Sequence, residues 1–173
     1  PEIAVRYDLG VAEGPLDGRL LLLLTPDGES EPRFQVKPGV DAIQVMGIDL
    51  EGLQPAEWAL FDSSVFGYPV ASLADLPAGE YFVQAVLHRY ETFNLATGHT
   101  LKLPMDRGEG QQWNRAPGNL YSTPRRVLID PAQGGRIELM LDQVMLPIEQ
   151  PADTDYVRHV RIQSELLSEF WGR

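Results

Sequence analysis

The chain has 173 residues, 43% of them hydrophobic, with 25 acidic against 14 basic side chains and a formal net charge of −11. That length suits one well-buried domain, or one domain with a short piece of a neighbour, and the hydrophobic content argues against disorder. The acidic balance argues against nucleic acid as a partner, no apolar run reaches the roughly 20 residues of a membrane helix, and the absence of cysteine removes disulfides, thiolate catalysis and thiolate zinc sites.

The chain begins at Pro1 and carries no signal peptide, so a processed or excised piece is expected. Ile3, Val5 and Tyr7 alternate with Ala4, Arg6 and Asp8, which predicts a half-buried first strand. Residues 19–25 predict a second, closed by the turn former Pro26-Asp27-Gly28. A short strand follows at 33–36, then one at 43–50, where Ile43 and Val45 give way to Met46, Ile48 and Leu50; that change of phase predicts a bulge. A strand at 58–62, a loop to Pro69 and a helical turn at 72–76 lead into Pro77-Ala78-Gly79-Glu80-Tyr81. From Tyr81 the chain alternates again: Tyr81, Val83, Ala85 and Leu87 form one apolar face, and Phe82, Gln84, Val86 and His88 the other. A tyrosine opening a central strand after a Pro/Gly corner looks like the tyrosine corner of immunoglobulin-like sandwiches.

Residues 91–124 hold many turn formers and little periodicity beyond a strand at 100–103, and read as one long irregular loop anchored by Met105, Trp113, Leu120 and Tyr121. Strands at 126–130 and 136–142 are expected to pair as a hairpin across Pro131-Ala132-Gln133-Gly134-Gly135, with Ile137, Leu139 and Leu141 inward. Pro147, Pro151 and the acidic run at 153–155 mark a linker. Beyond it Val157, Val160 and Ile162 fit a strand, while Leu166, Leu167, Phe170 and Trp171 have helical spacing. The expected architecture is an all-β, immunoglobulin-like antiparallel β-sandwich over 1–146, with 147–173 as linker and start of a following domain.

Chemistry is sparse. None of the seven serines sits in Gly-x-Ser-x-Gly, and Ser63 and Ser64 read as turn serines. His88, His99 and His159 lack metal-site spacing, and His88 reads as a hydrogen-bonded structural histidine. Asp106 and Glu109 flank Arg107 without the ladder of a calcium loop, so a charged turn is favoured. No metal, cofactor or catalytic set is assigned. The richest stretch is 109–121, where Glu109, Trp113, Asn114, Arg115 and Tyr121 are the candidate binding residues. Docking or self-packing is favoured there over stacking on a sugar or peptide. Phe170 and Trp171 would be exposed at a free terminus, which makes them candidate interdomain contacts. An independent enzyme built on Asp106, Glu109 and His88 or His99 would need convergence in space that the spacing does not supply.

Three runs matter together: Leu103-Pro104-Met105-Asp106 through Tyr121-Ser122, the stretch from Tyr81 to Phe93, and the ending Val160-Arg161-Ile162-Gln163-Ser164-Glu165-Leu166-Leu167-Ser168-Glu169-Phe170-Trp171-Gly172-Arg173. They resemble the N-terminal region of bacterial multidomain esterase-like proteins, in which a β-sandwich precedes an α/β-hydrolase domain of the esterase D and enterochelin-esterase type. The resemblance implies a secreted or periplasmic protein whose serine nucleophile lies in that downstream domain, so no catalytic position is carried over. It also implies a non-catalytic accessory domain with the hydrolase domain as partner, and leaves room for a small ester or saccharide at the domain interface. A self-sufficient carbohydrate- or peptide-binding module using Trp113 and Tyr121 is the alternative.

Overall fold

The computed structural model of the chain describes residues 1–149 and 151–172; Gln150 and Arg173, both within the expected linker segment, lie outside them. In chain order the strands are β1 (Glu2–Tyr7), β2 (Leu16–Thr25), β3 (Gln44–Leu53), β4 (Ala59–Phe61), β5 (Gly67–Tyr68), β6 (Gly79–Asn94), β7 (Thr100–Pro104), β8 (Leu120–Tyr121), β9 (Arg125–Ile129), β10 (Arg136–Leu141) and β11 (Gln143–Val144). One short helix, α1 (Glu165–Trp171), closes the chain. Two sheets face each other, so the fold is the all-β sandwich expected. The larger runs β11-β8-β6-β2-β3-β5 and the smaller β10-β1-β4.

The apolar alternation explains the layers. Tyr81, Val83, Ala85 and Leu87 of β6, with Leu20, Leu22 and Leu24 of β2, point at Ile3, Val5, Tyr7, Phe61, Leu139 and Leu141 of the smaller sheet. Each fully buried leucine here stabilises by about 1.5–3 kcal/mol. Leu21 and Leu23 of β2 point the other way, yet Leu23 is equally buried, because a second cluster with Val86 and Met145 covers that face. Burial on both faces accounts for the unbroken leucine run at 20–24.

Strand β6 organises the larger sheet, as its pattern predicts, but it is longer than the pattern shows. β2 lies along one side, and the other side is shared in succession by β9, β8 and β7. At its entrance the Tyr81 hydroxyl donates to the Pro77 carbonyl at 2.8 Å, closing the tyrosine corner. Tyr81→Phe is expected to cost about 1 kcal/mol in urea unfolding, the net worth of one hydrogen bond.

Four expectations need correction. Residues 33–36 are not a strand: Pro32 fixes the first turn of a 3₁₀ helix over Pro32–Phe34 instead. Ile43 and Val45 face the second cluster while Met46, Ile48 and Leu50 face the first, so the alternation of β3 does not slip there. The register shift comes later, where Leu16 pairs with Leu53 but Gly18 with Leu50; Gly52 takes a φ of 67° at that bulge. Residues 91–124 are not one loop, because β6 runs on to Asn94 and pairs with β7, leaving 105–119 as the irregular part. Strands β9 and β10 do not form a hairpin. β9 pairs with β6, whereas β10 crosses to the smaller sheet and runs parallel to β1. Ile137, Leu139 and Leu141 then do face the core.

Candidate functional site

The irregular segment 105–119 lies over the outer face of the larger sheet, and a buried glutamine explains how it is held. Gln84 is fully buried on the outer face of β6. Its Oε1 accepts the Arg33 backbone N–H at 3.0 Å, and its Nε2 donates to Glu31 Oε2 at 2.8 Å and to the Ser122 carbonyl at 3.0 Å. Arg33 in turn donates from its guanidinium to the Asn114 carbonyl at 3.1 Å, while Asn114 Nδ2 donates back to the Arg33 carbonyl at 3.0 Å. Asn119, also buried, accepts the Arg89 N–H and donates to the Trp113 carbonyl. Every one of these groups is a polar atom that burial would penalise if left unpaired.

The expected binding residues therefore fall in three places. Asn114 and Tyr121 meet at Arg33, whose guanidinium covers the Tyr121 ring at 4.1 Å from its centroid, and Trp113 and Tyr121 both pack against the cluster of Leu23, Val86 and Met145. Arg115 is exposed, 5.1 Å from the Phe34 ring. Glu109 is buried in a cleft it shares with His88, and its Oε2 accepts the Arg107 N–H at 2.7 Å. Phe170 and Trp171 sit against the β6–β7 hairpin, where the Ala96 N–H donates to the Phe170 carbonyl at 3.1 Å and the Trp171 ring meets Phe93 edge-on at 6.0 Å.

Sequence reasoning missed Glu31, Arg33, Gln84 and Asn119, which fix the segment. The one available signal was a glutamine inside the otherwise apolar outer row Phe82, Val86. A buried amide needs partners on both its oxygen and its nitrogen.

Burial alone would raise the Glu31 carboxyl, but hydrogen bonds from Arg33 and Gln84 and the Arg33 charge outweigh it and hold the group below its ordinary 4.5. A carboxyl lowered in the folded state contributes stability fully above 4.5, and loses it as pH falls through the lowered value. The urea midpoint is accordingly expected to fall more steeply as pH drops below 4.5 in the native chain than in Glu31→Gln. Parallel curves would contradict this network.

Most of the remaining chemical candidates form local bonds. Ser64 donates its hydroxyl to Asp62 Oδ1 at 2.6 Å, and the Ser63 carbonyl accepts from Ser72 at 2.8 Å. His99 contacts the Thr97 hydroxyl at 3.1 Å, and His159 contacts Asp153 at 3.3 Å. Asp106 Oδ1 accepts the Gly108 N–H at 2.9 Å, giving a closed turn. Among the described residues no group of three or more histidines and carboxylates is arranged to hold a metal.

The terminal segment is the most conspicuous surface. Tyr156, Val160, Ile162 and Leu166 are 97%, 76%, 83% and 80% exposed, and no residue of α1 is buried. The helix is nonetheless well formed at its ends. Ser164 caps it by accepting the Leu167 N–H, and Gly172 ends it in a left-handed conformation. No helix among the described residues is long and apolar enough to cross a membrane.

What fold and surface define together is an all-β sandwich with an uncovered apolar extension. Compared with known proteins, the chain matches no family model, no curated protein and no solved structure.

Proposed function

We propose that this chain is a non-catalytic accessory β-sandwich that docks on, and helps shape, the catalytic domain of an esterase-like hydrolase in a secreted or periplasmic protein. One observation carries the reading: the run of exposed apolar side chains from Leu146 to Trp171, fastened at its far end to the β6–β7 hairpin. Apolar surface of that extent is the mark of an interaction site. The hairpin contact gives the segment a fixed end from which it can be presented to a partner. The resemblance to the N-terminal region of multidomain esterases supplies the nature of that partner, an α/β-hydrolase domain.

Assay of p-nitrophenyl acetate and butyrate hydrolysis tests this reading. The 173-residue chain is compared with the longest protein encoded by its reading frame. The short chain is expected to stay at the uncatalysed rate and the longer protein to turn over; appreciable turnover by the short chain overturns the proposal. The alternative module asks Trp113 and Tyr121 to receive a ligand. Arg33 over one ring and the second apolar cluster beneath both supply a packing role for them instead.

A further inference from the structure

A cleft of about 310 Å³ opens where the end of β7 and the turn after it pass over β6. Leu103, Pro104 and Met105 line it with apolar surface, and His88, Asp106, Glu109 and Gln111 supply its polar groups. Docking through the terminal segment makes no use of it.

Two of those polar groups are incompletely used. Glu109 is only 7% exposed, and one of its carboxylate oxygens takes the Arg107 N–H. The other oxygen has no hydrogen-bond partner among the described residues. The neighbouring Arg107 side chain is turned to Glu91 and does not line the cleft. The His88 ring is half-buried, meets Tyr90 edge-on at 5.8 Å, and likewise has no hydrogen-bond partner among the described residues. Burial lowers its pKa and the Glu109 charge only partly offsets this, so the ring is neutral at pH 7 and offers a lone pair. That second carboxylate oxygen is not itself sealed from solvent, so the cleft leaves it open to a hydrogen-bond donor carrying positive charge.

We propose that this cleft binds an organic cation, a primary ammonium group carried on a short apolar body. The ammonium donates to the open oxygen of Glu109 and to His88, with Asp106 adding charge from the rim, and the alkyl body lies on Leu103, Pro104 and Met105. Two carboxylates exclude anionic ligands. The apolar part of the lining, Leu103, Pro104 and Met105, suits an organic cation with an alkyl body. Either a free amine or a lysine side chain of a peptide carries this chemistry.

The test is titration of the native chain, followed by the His88 ring signals in NMR, with butylammonium chloride at constant ionic strength. Butan-1-ol and sodium butyrate serve as the neutral and anionic controls. Butylammonium is expected to shift the His88 signals with millimolar affinity while both controls leave them unchanged. Glu109→Gln keeps an acceptor for the Arg107 N–H and is expected to weaken binding about tenfold or more. Asp106→Asn, which keeps the Gly108 contact, is expected to weaken it about threefold. Butanol binding as well as butylammonium, no shift at His88, or unchanged affinity in either folded variant overturns the proposal. The native-chain comparison stands even where a variant does not fold. A short peptide with one lysine, titrated in parallel, distinguishes the sources: tighter binding than butylammonium assigns a protein partner, equal or weaker binding a free amine.

Discussion

Gly18→Ala is expected to lower the thermal midpoint by about 10 °C, corresponding to about 3 kcal/mol for a chain of this size. A β-carbon at Gly18 would lie 2.2 Å from the His88 carbonyl oxygen and 3.0 Å from the Arg89 α-carbon. Both are backbone atoms of the neighbouring strand, so no side-chain rotation relieves the clash and β2 must separate from β6. The position leaves little slack on its other side. Gly18 pairs with Arg89 of β6 and with Leu50 of β3, at the point where the β2–β3 register shifts. Gly10→Ala, with nothing within 4 Å of the added carbon, is the matched control and is expected to stay within about 0.5 kcal/mol. Differential scanning calorimetry of the pair decides it; equal midpoints would mean that the two central strands are not in contact as described.

Gln84→Leu is expected to cost about 3 kcal/mol although it makes the core more apolar. Leucine fills similar space but leaves the Arg33 N–H and the Ser122 carbonyl without their side-chain partner, and takes a donor from Glu31. Each buried group so orphaned costs about 1–3 kcal/mol, more than the transfer of the side chain returns. Because Arg33 also holds Asn114, the loss is expected to reach the aromatic segment. Trp113 fluorescence should report a looser environment below the main unfolding transition. A urea midpoint equal to that of the native chain would contradict the role given to Gln84.

Why some of this was legible in the sequence and some was not follows from the range of the interactions. Alternation at 81–88 defines which face of β6 is buried because side-chain direction in a strand depends on nothing but parity. The tyrosine corner is equally local: Tyr81 bonds a carbonyl four residues upstream. Pairing partners are different. The turn formers at 131–135 are as compatible with a crossover between sheets as with a hairpin, and what sends β10 to β1 is a parallel register with residues more than 130 positions earlier. The continuation of β6 past His88 was hidden because its last third is paired by β7 on a solvent-exposed hairpin, where no apolar period is required.

The same contrast holds for the candidate surfaces. Phe170 and Trp171 could be picked out because large aromatics without an obvious core stand out on composition alone. For Trp113 and Tyr121 the sequence favours docking or self-packing over ligand stacking but does not locate the packing partners, since these depend on Arg33 and Gln84, residues 80 and 29 positions from Trp113 in the sequence. The meeting of His88 with Asp106 and Glu109 depends on the fold of β7 back along β6, which spacing does not reveal.

Amide hydrogen exchange over residues 156–171, read by mass spectrometry, tests the docking account most directly. The 173-residue chain is compared with the full product of its reading frame. The account predicts fast exchange through this segment in the short chain and protection of at least tenfold in the longer protein, centred on 160–171. Equal exchange in both would contradict it, and would leave the exposed apolar side chains of that segment without the partner assigned to them.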